Sequence, residues 1–238
     1  MTSKDGSAPL DTALVRRMLK HSLIWLTALG AILFASAGTL RWPEAWVFLI
    51  GSGILGLASG VVLVRHDPEL LRERMRGPMQ EGQKSWDKPL IGVIIALCLL
   101  LPVAAGIDAV RLHLSLMPIW LEVMGGLFVC LGIYLFHVVM VTNTYATTVV
   151  RVQRERGHQV ISTGPYAYVR HPMYTGASFY FLGIALLLGS WWAVGIAALL
   201  SALFAVRAVW EEETLKRELD GYAAYAERVR FRLVPWVW

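Results

Sequence analysis

Apolar residues in this chain gather into long, nearly unbroken runs instead of recurring at amphipathic spacing, and this pattern sets the fold class. A helix that crosses the hydrocarbon core needs about 20 apolar residues. Six runs reach or approach that length: Ser22 to Leu40, Trp42 to Val64, Pro89 to Ile107, Met117 to Val141, Met173 to Gly189, and Trp191 to Trp210. Only Arg41 separates the first two, beside an interfacial corner of Trp42, Pro43 and Trp46, so a tight antiparallel hairpin is expected there. The last two meet at Gly189-Ser190-Trp191-Trp192 and predict a second hairpin. Beyond them, Glu211 to Trp238 reads as a helix of mixed charge, a break at Gly221, a second short helix through Tyr225 and Val229, then an extended end. The leucines, tyrosines and tryptophans of that tail need burial, so it is expected to fold back on the bundle. The fold expected is all-α: a polytopic membrane bundle of about six spans, with a C-terminal helical hairpin and a capping tail.

Composition agrees, with 56% apolar and 16% charged residues among 238, and ten tryptophans suited to a membrane interface. The formal charge of +5 points to lipid headgroups, not nucleic acid, because the cations lie between the apolar runs. Twenty Lys and Arg fall in the N-terminal tail (from Lys4), in the loops 65–88 and 151–170, and in the C-terminal region; only Arg41 and Arg111 fall in the opposite loops. That asymmetry predicts an integral membrane protein with both termini and the two long loops cytoplasmic, as in a bacterial inner membrane. The polar N-terminus and the length of the first run predict a retained helix, not a signal peptide. Cys98 and Cys130 lie in apolar runs without a CxxC neighbour and predict neither disulfide nor metal. In the loop 65–88, the amphipathic piece Pro68 to Arg76 is compatible with a helix lying along the headgroups, but a solvated connector is the favoured expectation. Residues 1–140 thus read as a region of membrane helices, and 141–238 as the region that carries the chemistry.

That chemistry centres on Gly164 to Gly176, G-P-Y-A-Y-V-R-H-P-M-Y-T-G, followed by Glu211, Glu212 and Glu213. A proline turn ahead of a helix accounts for Gly-Pro and His-Pro. It does not require Arg170, His171 and Tyr174 together, and a polar cluster at a membrane boundary marks a site.

The order H-x-V-I-S-T-G-P-Y (His158 to Tyr166), R-H-P-M-Y-T-G (Arg170 to Gly176), E-E-x-x-L (Glu211 to Leu215) and G-Y-x-x-Y-x-x-x-V-x-x-R-x-x-P (Gly221 to Pro235) resembles the isoprenylcysteine carboxyl methyltransferase family. Phospholipid N-methyltransferases share part of the pattern. The resemblance implies S-adenosylmethionine as methyl donor, held in a cytosol-facing site of the C-terminal half that the tail caps. It also implies a lipophilic acceptor, such as a lipidated carboxylate, arriving from the bilayer. Glu211 and Glu212 would then face the ammonium or sulfonium. Arg170, His171 and the backbone from Gly164 to Tyr168 would hold the carboxylate and ribose. Tyr166, Tyr168 and Tyr174 would flank the adenine or sulfonium. His158 matches a cofactor-contacting position, and Arg232 the arginine that would orient the acceptor. The same arginine run, Arg228, Arg230 and Arg232, also reads as a contact with anionic lipid. Where many members have Phe-Gly, this chain has Leu219-Asp220-Gly221, displacing the turn by one residue.

Three other readings stay open on sequence grounds. An amine acceptor would need a base, for which a glutamate is the natural choice. A sterol-type reductase shares an R-H-x-x-Y-x-G block but uses NADPH, whose extra phosphate suits the acidic pair poorly. A transporter or lipid-binding scaffold would carry its polar groups nearer the bilayer midplane.

Overall fold

The structure is a computed structural model that describes residues 11–238; of the expected N-terminal tail, Lys4 lies outside them, whereas Arg16, Arg17 and Lys20 belong to the first helix, which begins at Thr12, ahead of the expected start at Ser22. Eight α-helices follow in order: α1 (Thr12–Ala37), α2 (Pro43–His66), α3 (Pro68–Arg74), α4 (Asp87–Ala105), α5 (Ile119–Thr142), α6 (Pro172–Leu187), α7 (Trp191–Glu218) and α8 (Tyr222–Arg228). Both expected hairpins are present. Gly38 (φ 74°) turns α1 into α2, and Gly189 (φ 75°) with the Ser190 cap on the Ala193 N–H turns α6 into α7.

Among the described residues, five helices are long and apolar enough to cross a membrane, counting α4 with the π turn Gly106–Arg111 that extends it. The sixth differs from expectation. At 16 residues, α6 is about 24 Å long, short of the core of about 30 Å. Its His171-Pro172 start and Gly189 end fix both limits. The bundle is thus an integral membrane protein of five full-length helices and a shorter one held among them.

What seats α6 is glycine. Gly125 and Gly132 on α5 face Gly183 and Gly176 on α6, each pair seven residues apart and so on one helical face. A Cβ at Gly183 would lie 2.6 Å from the Val129 nitrogen; one at Gly132 would lie 2.8 Å from the Gly176 oxygen. The two backbones approach this closely only without side chains, as in other membrane helix pairs.

Loops 65–88 and 143–171 and the tail gather at one end of the bundle, cross-linked by ion pairs. Arg151 Nη2 meets Glu73 Oε2 at 3.0 Å, and Lys84 Nζ meets Glu218 Oε1 at 2.7 Å. Helix α3 corrects the solvated-connector expectation. Leu70 and Leu71 are buried against Leu14, Met18, Leu63 and Val64, while Arg74 reaches across to the Ala146 carbonyl. At the far end, the buried Asp108 Oδ2 accepts from the Ser115 and Ser190 hydroxyls and the Trp192 N–H, tying the π turn to the start of α7.

Candidate active site

The charged end of the bundle encloses a cavity of about 370 Å³, within the range of small-molecule sites. Its floor descends between helices past Ile91, Phe136, Ala177, Phe181 and Phe204. Its upper wall is the segment Asn143–Arg151, the irregular stretch His158–Ile161, Tyr166, the Arg170–Tyr174 turn and the tyrosines of α8. One end is polar, the other wholly apolar.

Helix α7 supplies the axis. Phe204, Arg207, Glu211 and Thr214 recur at intervals of three and four, so they line successive turns about 5.4 Å apart. Glu211 Oε2 accepts the Tyr174 hydroxyl at 2.6 Å and lies 3.8 Å from His171 Nδ1. The His171 and Tyr174 rings stack at 5.5 Å, and Tyr174 stacks in turn on Phe204. One turn deeper, Arg207 clasps the fully buried Asp87 with two hydrogen bonds, Nε to Oδ1 at 2.8 Å and Nη2 to Oδ2 at 3.1 Å. Gln83 and the Val150 N–H also donate to Asp87, and Arg207 Nη2 donates to the Thr148 carbonyl. Its Nη1 makes no hydrogen bond among the described residues, and the guanidinium sits 5.7 Å from the Tyr174 ring centre.

Adjacent residues on a helix point about 100° apart, so the three glutamates divide. Glu211 faces the cavity. Glu212 turns away from it and is buried, with Oε1 accepting from Arg170 Nε at 2.6 Å and Oε2 from Arg232 Nε at 3.1 Å. Glu213 is exposed and pairs with Arg217. Arg170 Nη1 donates to the carbonyls of Ala226, Val229 and Arg230, so the Arg170–Glu212–Arg232 cluster fastens the tail to the start of α6.

Other expected site residues also separate. Tyr166 lines the cavity; its hydroxyl accepts from Asn143 Nδ2 at 2.8 Å, and its carbonyl accepts the Tyr225 hydroxyl. Burial pushes its phenol up, and the phenols of Tyr222 and Tyr225 likewise, so all three act as neutral groups. Tyr168, two residues on, is 69% exposed on the outer surface, because the short 3₁₀ turn Gly164–Ala167 rotates it away. Gly164 is exposed and serves the turn at φ 57° against Thr142. Arg232 lies outside the cavity wall, held by Glu212 and packed 5.1 Å over the Trp238 ring.

His158 stacks on Tyr145 at 4.3 Å, and its Nδ1 accepts the Gln153 N–H, which leaves the proton on Nε2. Burial, reinforced by Arg156, lowers its pKa to about 4 from an ordinary 6.5. The unfolded chain therefore takes up this proton first as pH falls. Stability should drop from about pH 6.5 toward pH 4, and a His158→Gln variant should show a shallower drop in thermal midpoint across that window.

Several wall residues carried no signal in the sequence. Arg207 sits inside the apolar run Trp191 to Trp210, and Tyr222 and Tyr225 count only as side chains needing burial. Arg74 lay in a loop with no visible partner. The G-Y-x-x-Y spacing was the one available pointer to the tyrosines.

Residues 120–220 match the phospholipid methyltransferase family, a stretch that contains the motif turn and the cavity-lining part of α7. Over 105 residues the chain is 35% identical to a protein-S-isoprenylcysteine O-methyltransferase of Schizosaccharomyces pombe, covering 43% of this chain and 44% of that protein. Over 113 residues it is 29% identical to protein-S-isoprenylcysteine O-methyltransferase B of Arabidopsis thaliana, covering 46% and 57%. The chain thus spans about half the length of these curated relatives. Over part of its length, this integral membrane protein is similar to methyltransferases of the isoprenylcysteine and phospholipid types.

Proposed function

We propose that the protein is an S-adenosylmethionine-dependent methyltransferase of a lipophilic carboxylate, working at the cytosolic face. The observation that carries this is the order along α7: a carboxylate at Glu211, a cation one turn deeper at Arg207, then a wholly apolar floor from Phe204. Among the described residues lining the cavity, Glu211 is the sole carboxylate, so a cationic cofactor centre belongs beside it and an acidic acceptor beside Arg207.

The donor set fits the cofactor. The Tyr222 hydroxyl is buried without a hydrogen-bond partner among the described residues, and His171 Nε2 is buried with only Glu212 Oε1 near it, at 3.4 Å; both belong to residues lining the cavity. Such groups are costly unless a ligand or water engages them. Glu211, His171, Tyr222 and the Nε2–H of His158 would hold the polar parts of S-adenosylmethionine, and Tyr166 and Tyr174 its flat or cationic parts. When bound, that cofactor supplies a methyl group activated by a sulfonium.

The chain's own residues then have three tasks. Arg207 Nη1 holds the acceptor carboxylate, which is already ionised near neutral pH and needs no base. Asp87 keeps the guanidinium in place. The apolar floor seats the lipid portion and excludes water, so alignment and desolvation provide the acceleration. An amine acceptor suits this cavity less well, since its inner polar group is an arginine.

Calorimetric titration of the detergent-purified protein with S-adenosylmethionine, S-adenosylhomocysteine and NADPH tests the reading. Saturable binding of the first two is expected, weakened at least about tenfold in Glu211→Gln, as for loss of a buried charged hydrogen-bond partner. Binding of NADPH alone, or of none of the three, would overturn it.

A further inference from the structure

The tail beyond Gly221 lies outside the family-matched residues and carries a surface that the proposed reaction does not use. From Arg228 to Trp238 it has three arginines and no acidic residue. Arg232 is spent on Glu212, whereas Arg228 and Arg230 are exposed and make no ion pair among the described residues. Between them and the loop before α6 runs a groove of about 210 Å³, lined in part by Tyr168, Phe231 and Trp236. Tyr168 is 69% exposed, Trp236 87% and Val237 77%.

Its position along the membrane normal follows from hydrogen bonds to α6. The Arg170 and His171 N–H groups donate to the Phe231 and Arg232 carbonyls, and the Thr175 hydroxyl donates to the Leu233 carbonyl. The tail therefore lies along the first turn of α6, where that helix enters the apolar layer. Trp236 is presented there at a conformational cost. Its φ of 61° lies in the left-handed region that bulky residues avoid, held by a closed loop in which three N–H groups, of Arg232, Leu233 and Val234, donate to the Trp238 backbone oxygen. An exposed indole and valine at headgroup depth, flanked by two unpaired guanidinium groups, match the apolar edge and phosphate of a phospholipid together.

We infer that this groove is a binding site for an anionic phospholipid, with Arg228 and Arg230 on the headgroup charge and Trp236 and Val237 inserted beside the acyl chains. Zwitterionic lipid offers the same chains but no net charge for the two arginines, and free phosphate offers the charge without the chains. Because the same tail supplies the carbonyls that hold Arg170, an occupied groove braces the active-site end of the protein.

The test is the thermal unfolding midpoint of the full chain in neutral detergent, titrated with phosphatidylglycerol, phosphatidylcholine or inorganic phosphate. Phosphatidylglycerol is expected to raise the midpoint saturably, with neither of the others doing so at the same concentration. The double variant Arg228→Gln/Arg230→Gln should weaken the apparent affinity about thirtyfold, from two surface cations. Trp236→Ala should weaken it while leaving the lipid-free midpoint unchanged. An equal shift with phosphatidylcholine, an equal shift with inorganic phosphate, or an undiminished phosphatidylglycerol effect in the double variant would overturn the assignment. The readout needs no methyl donor or acceptor, so it stands or falls apart from the proposed reaction.

Discussion

Gly183→Ala is expected to cost about 3 kcal/mol or more, the upper end of overpacking penalties, and to remove binding of the proposed cofactor along with stability. The added methyl would lie 2.6 Å from the Val129 nitrogen, 2.8 Å from the Gly125 oxygen and 2.9 Å from the Phe128 carbonyl carbon. All three are backbone atoms of α5, which cannot swing aside as a side chain would. Helix α6 must move away, and with it Arg170, His171 and Tyr174 at its start, while Glu211 stays on α7. The matched control is Gly195→Ala on α7, where a Cβ meets nothing within 4 Å. That change should be neutral or stabilising by about 0.5–1 kcal/mol, since alanine favours a helix interior over glycine. Thermal unfolding in one detergent decides: equal midpoints for the two variants would mean that α5 and α6 do not pack through their glycines.

How much of this was legible in the sequence depends on range. Runs of some 20 apolar residues announce membrane helices by composition alone, so the long helices and both hairpins fall close to expectation. The R-H-P turn and the acidic cluster stood out in the sequence because each carries several unusual residues within a few positions. The glycine pairing was not, because glycines are common in membrane helices and nothing local says which ones face a partner. Arg207 was hidden for a similar reason: its meaning comes from Asp87, 120 positions earlier, and from the cavity between them. The short α6 follows from the proline and glycine at its ends, yet its apolar run continues to the turn and so reads as a full span. Tyr166 and Tyr168 look equivalent in G-P-Y-A-Y, and only the geometry of the 3₁₀ turn sends one inward and the other out. Tyr174 stood out within its motif, but that its hydroxyl reaches Glu211 depends on the glycine contact that seats α6.

The division between Glu211 and Glu212 yields the sharpest contrast, since two isosteric changes at adjacent positions should fail in different ways. In Glu212→Gln, Arg170 loses a charged partner at 2.6 Å and Arg232 one at 3.1 Å, while Arg170 stays buried beneath the tail. Removing one member of a buried ion pair costs about 3–5 kcal/mol, because the remaining charge is left without compensation. The tail from Ala226 to Arg232, which Arg170 and Glu212 hold by carbonyl and guanidinium contacts, should release, exposing Tyr222 and Tyr225. Limited proteolysis should then cut near Gly221 in this variant and not in the wild type. Glu211→Gln keeps a side chain able to accept the Tyr174 hydroxyl and leaves no buried cation bare, so its midpoint should move by no more than about 1 kcal/mol. Its loss should appear in ligand binding instead. If Glu212→Gln kept both its midpoint and its protease resistance, the Arg170–Glu212–Arg232 cluster would not be what fastens the tail. If Glu211→Gln were the variant that unfolded, Glu211 would be a structural residue, and the cavity would lose the carboxylate on which the proposed chemistry depends.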